Sequence, residues 1–197
     1  MKYLPISLYG AVAGILVTAA PAFADPVDVA DNDRASNERS GLVLGATIDG
    51  GNIGCQTKSG DDCGNGAHPA GGFSVHVGGM VSPSLAILGE AWGMAHTQDS
   101  LTATQILATA DVRGWVAPRL WLQGGVGVAR SKLSFDSSLI SASAMSSTVP
   151  AVVAAVGLEL VRAKTFGLDL ELRGGSGLYR DDVRIYNAAL GVGATFF

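Results

Sequence analysis

Residues 166–177 read FGLDLELRGGSG. Phe166, Leu168, Leu170 and Leu172 hold one set of alternate positions, and Gly167, Asp169, Glu171 and Arg173 hold the other. A period of two is the repeat of a β-strand, whose successive side chains point to opposite faces. One face of this segment is apolar and the other is charged, so the two faces require different surroundings.

The same alternation recurs on both sides of this stretch. Segments at 41–50, 71–81, 85–96, 103–116, 120–131, 150–161 and 184–197 bring the expected strand count to eight. Leu42, Leu44, Ala46 and Ile48 share a face in the first. Phe73, Val75 and Val77 oppose Ser74 and His76 in the second. Ala108, Ala110 and Val112 oppose Thr109, Asp111 and Arg113 in the fourth. Val152, Ala154, Val156, Leu158 and Leu160 oppose Gly157 and Glu159 in the sixth. The even-to-odd links at 82–84, 117–119 and 162–165 are tight, whereas the odd-to-even links at 51–70, 97–102, 132–149 and 178–183 are longer. Sorting by parity predicts an up-and-down barrel with short turns at one end and longer loops at the other. Pro83 and Pro118 fall in turns and Pro150 opens a strand, where no ladder donor is lost.

The charges fix the facing. Glu90, Asp111, Arg113, Glu159, Asp169, Glu171 and Arg173 all lie in mid-segment. A lipid-facing Arg or Lys near a bilayer midplane costs about 2–4 kcal/mol, and Asp or Glu less. Several such charges would rival the stability of a whole domain. They are therefore expected to point inward, as an ion-pair and hydrogen-bond network that fills an eight-stranded lumen. Plain barrel packing accounts for such a network better than an active site does. Five acids face two arginines here, so either some carboxyls are protonated or polar groups such as Thr109 and Gln123 share the load. Trp92, Trp115 and Trp121 have inward parity. Either a bulge re-aims them or they plug the lumen near the turns. The lipid face itself is rich in Gly and Ala.

Composition agrees with a membrane barrel. Charged residues make up 15% of the 197, hydrophobic residues 48%, and there are 27 glycines. The formal charge is −4 with no basic block, which excludes nucleic acid as a partner. At the N-terminus, Lys2 precedes an apolar run from Ile6 to Ala20, and Ala22-Phe23-Ala24 forms an A-x-A site before Asp25. This predicts a cleaved signal peptide at 1–24, a flexible periplasmic lead-in at 25–40 and a barrel at 41–197. A spanning helix would need about 20 apolar residues, and this run is shorter and meets Pro21.

Cys55 and Cys63 sit close together in an exported chain and predict one disulfide. Their spacing, with His68, Asp61 or Asp62 nearby, fits no standard zinc pattern, and Asp61, Asp62 and Asn65 miss the register of a calcium loop. No metal or cofactor is expected. His68, His76 and His96 carry no triad or metalloprotease signature, so no enzyme is expected.

The layout, the inward charges and the terminal GVGATFF at 191–197 resemble the small eight-stranded outer-membrane barrels, the class of the OmpA transmembrane domain and the OmpX-like proteins. The resemblance implies a bacterial outer-membrane location, contact with lipids and lipopolysaccharide, and insertion by the barrel-assembly machinery, which reads a terminal aromatic residue. Phe197 matches that residue, but Phe196, Val192, Leu190 and Tyr186 form the apolar set, one place out of the usual phase. The class suggests a structural or surface-interaction role for the loops, whose ligand the sequence does not name. The alternative is a small passive channel, for which Gly125, Gly127 and Gly175 leave room in the lumen.

Overall fold

A computed structural model describes residues 39–57, 59, 61–63, 66–136, 141–163, 165–179 and 183–197. The predicted signal peptide, the lead-in up to residue 38, and Asn65 lie outside the described residues. The strands are β1 (Leu42–Gln56), β2 (His68–Ser82), β3 (Leu85–Gln98), β4 (Leu101–Trp115), β5 (Leu120–Asp136), β6 (Ser141–Met145), β7 (Val149–Arg162), β8 (Phe166–Leu178) and β9 (Arg184–Phe196). Eight of them close a ring in the order β1-β2-β3-β4-β5-β7-β8-β9, with β9 returning to β1 and every pairing antiparallel. Closure removes sheet edges from the ring, and the backbone polar groups satisfy one another. No helix among the described residues is long and apolar enough to cross a membrane.

All eight predicted segments are ring strands, but several run further than the alternation suggested. β1 continues to Gln56 and β2 begins at His68, so the loop read as 51–70 shrinks to 57–67. The link at 97–102, expected to be long, is a two-residue hairpin. Gln98 pairs with Leu101, and Asp99 turns the chain at φ 51°, a left-handed conformation that Asp tolerates. The Ser-rich link at 132–149 is also largely strand. β5 runs to Asp136, and β6 pairs back onto it from Lys132–Met145 to Asp136–Ser141. β6 lies on the side of β5 that β7 occupies lower down, so the pair projects the barrel wall beyond the ring.

Burial alternates along the ring. Ile48, Phe73, Val126, Leu172, Leu190 and Val192 are outward and exposed, Ile48 to 78% and Val126 to 67%. Inward positions pack into two apolar clusters. Near the short turns lie Val43, Ala86, Leu88, Trp115, Trp121 and Ala155. Towards the loops lie Trp92, Met94, Leu107, Ala129, Val149, Ala151, Val153 and Ala189. The three tryptophans keep their inward parity, with Trp92 and Trp121 only 1% exposed, so they plug the lumen.

Inward glycines make the plugs possible. In so narrow a barrel a large side chain lies flat across the neighbouring strand. The Trp121 indole covers Gly157, its register partner, and a Cβ there would overlap the ring. Asp111 covers Gly125, its register partner, in the same way; Trp92 reaches Gly175 from the opposite wall, and a Cβ at Gly127 would meet the Ala108 backbone, so these glycines do not leave the open lumen they had suggested. Gly157→Val should therefore destabilise the barrel by about 1–3 kcal/mol through overpacking. Urea unfolding in lipid vesicles, followed by tryptophan fluorescence, measures this; an unchanged midpoint would mean that Trp121 has room to move.

Candidate functional site

The lumen and its two mouths hold the polar chemistry of the described residues. Between the two apolar clusters, β3, β4, β5 and β8 point Glu90, Asp111, Arg113, Gln123, Glu171 and Arg173 at the axis, all 5% exposed or less. Arg173 pairs through Nη1 with Glu90 Oε1 and through Nη2 with Glu171 Oε1 at 3.0 Å. Arg113 Nε donates to Gln123 Oε1 at 2.8 Å. Gln123 Nε2 in turn donates to Asp111 Oδ2 at 2.7 Å and Glu90 Oε2 at 3.0 Å. One neutral amide thus shares its donors between two acids. The tryptophans bound this layer: the Arg113 guanidinium lies 4.1 Å from the Trp121 ring centroid, and that of Arg173 lies 5.2 Å from Trp92. Asp169 is buried against Gly193 and Thr47 on the wall.

Glu159 stands apart from this layer, in a second cluster at the short-turn end. There it meets Arg39, which the sequence assigned to the lead-in. Arg39 Nη2 reaches both Glu159 oxygens at 2.7–2.8 Å and the Pro118 carbonyl at 3.3 Å. Its guanidinium sits 4.3 Å from the Trp115 ring centroid and 5.7 Å from that of Phe197. Trp115 Nε1 adds a third bond to Glu159 at 2.7 Å. Arg39 escaped the sequence reading because it precedes β1 and belongs to no periodic segment. Asp49 was also missed, although it falls on the non-apolar face of β1; it accepts from Trp92 Nε1 at 3.1 Å.

At the loop end, His68 and His96 stack with ring centroids 4.9 Å apart. His96 Nδ1 donates to the Pro69 carbonyl at 2.7 Å. Tyr179 Oη meets Gln105 Nε2 at 3.1 Å and Ser131 Oγ at 2.6 Å. His76 is inside the barrel with Nε2 3.4 Å from Thr195 Oγ1. Cys55 and Cys63 form a disulfide, so neither thiolate can ligate zinc. Among the described residues no group of three His, Cys, Asp or Glu could hold a metal ion. At the C-terminus Phe196 faces outward against Phe166, ring centroids 5.1 Å apart, whereas Phe197 turns to the mouth and meets Trp115 edge-on at 5.9 Å. The outward apolar set therefore ends on Phe196.

No protein-family pattern matches the chain, and no curated protein does. Solved structures do. The attachment invasion locus protein Ail of Yersinia pestis, solved with the heparin analogue sucrose octasulfate, aligns over 80% of this chain and all of its own with a TM-score of 0.59 and 17% identity. Neisserial surface protein A aligns over 80% of this chain and 97% of its own with a TM-score of 0.57 and 13% identity. At such identities the likeness is one of fold, and the fold is that of the small eight-stranded outer-membrane barrels.

Removing one partner of a buried ion pair leaves an uncompensated charge, at a cost of about 3–5 kcal/mol. Arg39→Met should lose about 3 kcal/mol by that mechanism, and Arg39→Met with Glu159→Gln should recover a good part of it. Denaturant titrations of the four members of this double-mutant cycle test the coupling; additive losses would show that the pair does not act as a unit.

Proposed function

We propose that this protein resides in the bacterial outer membrane as a sealed, non-conducting, non-catalytic barrel that anchors a surface-exposed wall and loops. One observation carries the reading: the outside of the closed ring is clad in large apolar side chains while its acids and buried arginines face the axis. Soluble monomers rarely expose contiguous apolar patches above a few hundred Å², and here the exposed residues come from every strand of the ring. Outward cations occur above this belt, as Arg130 and Lys132 on β5 and Arg184 at the start of β9. That end faces the outer leaflet in our reading, where phosphorylated lipopolysaccharide would meet the cations.

The sealed lumen argues against a passive channel. A water path would have to cross the Trp115–Trp121 cluster, the ion-pair layer and the Trp92–Met94–Leu107 cluster in turn. Export through a signal peptide at 1–24 and insertion by the assembly machinery complete the proposal. Phe196 serves as the recognised aromatic residue, because it ends the outward apolar set.

The protein should pellet with outer membranes, require detergent for release, and migrate faster on gels before boiling than after. Recovery in the periplasmic soluble fraction would sink the membrane reading. In planar bilayers it should carry no steady conductance, and regular single-channel steps would favour the channel instead. Leu172→Arg, in the waist of β8, should cost about 2–4 kcal/mol in lipid, read from the same unfolding titration.

A further inference from the structure

His68 opens β2, and His96 lies near the end of β3. Both have lumen-facing parity. Alternate positions lead from His68 through Gly72 to the buried Ser74 and His76, and from His96 through Met94 to the buried Trp92 and Glu90. The β2–β3 ladder ends on Gly71–Ala95, and the two histidines lie just beyond it on facing strands. The same register, continued, sets them diagonally, two residues out of step. Diagonal neighbours on one face of an antiparallel pair are about 7–8 Å apart, within reach of ring side chains. Here the rings stack, with centroids 4.9 Å apart and planes inclined by 26°. Both are half-buried, so one side of the pair is open to solvent. Met94 and Ile53, which pairs with His68 across β1–β2, share the inward parity and are buried.

We propose that His68 and His96 form a two-imidazole site for a late first-row divalent cation (Cu2+, Ni2+ or Zn2+) at the loop end of the barrel. The site goes beyond the outer-membrane reading and does not depend on it. Three observations select this ligand. First, His96 Nδ1 lies 2.7 Å from the Pro69 carbonyl. A carbonyl oxygen only accepts, so Nδ1 carries the proton and Nε2 keeps the lone pair of the neutral ring. Ligating imidazoles are oriented in this way, with the other ring N–H given to a carbonyl or carboxylate. Second, the His68 side chain makes no hydrogen bond among the described residues, so either of its nitrogens can turn to an ion. Third, the described charged residues in the β1–β2 and β3–β4 connections are Asp61, Asp62 and Asp99, all acids, which favour the approach of a cation. Imidazole donors suit copper, nickel and zinc, whereas Mg2+ and Ca2+ require oxygen. Nearly parallel rings point their lone pairs side by side, so both side chains turn about χ1 and χ2 to converge on one ion. Among the described residues no group of three ligating side chains exists. Water therefore completes the coordination, and the ion exchanges, unlike one in a closed four-ligand structural site.

The test uses the protein without a histidine tag, folded in octyl glucoside micelles in a buffer that does not chelate metals. The probe is CuCl2, because Cu2+ binds nitrogen sites most tightly of this series. Calorimetric titration should show saturable binding, and spin-echo modulation of the bound Cu2+ should count two coordinated imidazoles. NiCl2 and ZnCl2 should compete for the ion's place, and MgCl2 should not. His68→Ala and His96→Ala should each weaken binding by about tenfold or more and remove the two-imidazole signature. Where a variant does not fold, the imidazole count on the unaltered protein decides the question. Absence of saturable Cu2+ binding overturns the proposal. Coordination by a single imidazole also overturns it, since that is an isolated surface histidine. Binding unchanged in both variants overturns it too, by placing the ion elsewhere on the chain. Heat-modifiable migration of the same samples reports the folded barrel separately, so failure of the membrane reading is distinguishable from failure of this one.

Discussion

An eight-stranded barrel encloses a space only wide enough for side chains to fill, and in this chain the space must take six carboxylates and three guanidinium groups. Asp49, Glu90, Asp111, Glu159, Asp169 and Glu171 face Arg39, Arg113 and Arg173. A charge that cannot leave the axis has to be paired, shared or stacked. Arg173 bridges Glu90 and Glu171, Gln123 divides its amide between Glu90 and Asp111, and the guanidinium groups lie over tryptophan faces. The tryptophans that resist an outward reading from sequence are therefore part of the electrostatic solution. They supply cation–π surface to the arginines and, through Nε1, donors to Asp49 and Glu159. The same crowding explains the glycines beside some of them, because Trp121 and Asp111 lie flat over Gly157 and Gly125.

The ring was legible in the sequence because two opposed environments enforce period two across it. In β8 the leucines and the charges alternate without a break, and the observed strand begins where the pattern does, at Phe166. Legibility failed where that opposition weakens. Asp49 lies on the correct face of β1, but among Gly and Thr it carries little pattern. Arg39 lies three residues before β1, and its position follows from where Glu159, Trp115 and Phe197 meet in space, which no local window contains. The β3–β4 hairpin was overestimated because polar residues resemble a loop, although Thr97 and Thr102 are ladder partners whose hydroxyls lie 3.2 Å apart.

The stretch read as a serine-rich loop failed for a more specific reason. Residues 131–135 do alternate, as Ser-Lys-Leu-Ser-Phe, but with the apolar positions on the lumen-facing parity, whereas lower in β5 the valines take the outward one. A reading that demands one phase per strand discards them as noise. The shift makes sense once the strand serves two solvents. Below the reversal the outer face meets hydrocarbon and the inner face meets ions; above it the outer face meets water. A continuous ladder can cross that boundary unchanged, because backbone hydrogen bonding does not depend on which face is apolar.

The reversal also fixes where the scaffold ends. Below Arg130, closure of the ring satisfies the backbone and the lumen network pairs most of the buried charges, and substitutions there act on stability. Above it, Leu133 and Phe135 join neither buried cluster and remain 47% and 44% exposed. Half-exposed side chains bury less apolar area than those of the two clusters, so they add less to the stability of the barrel.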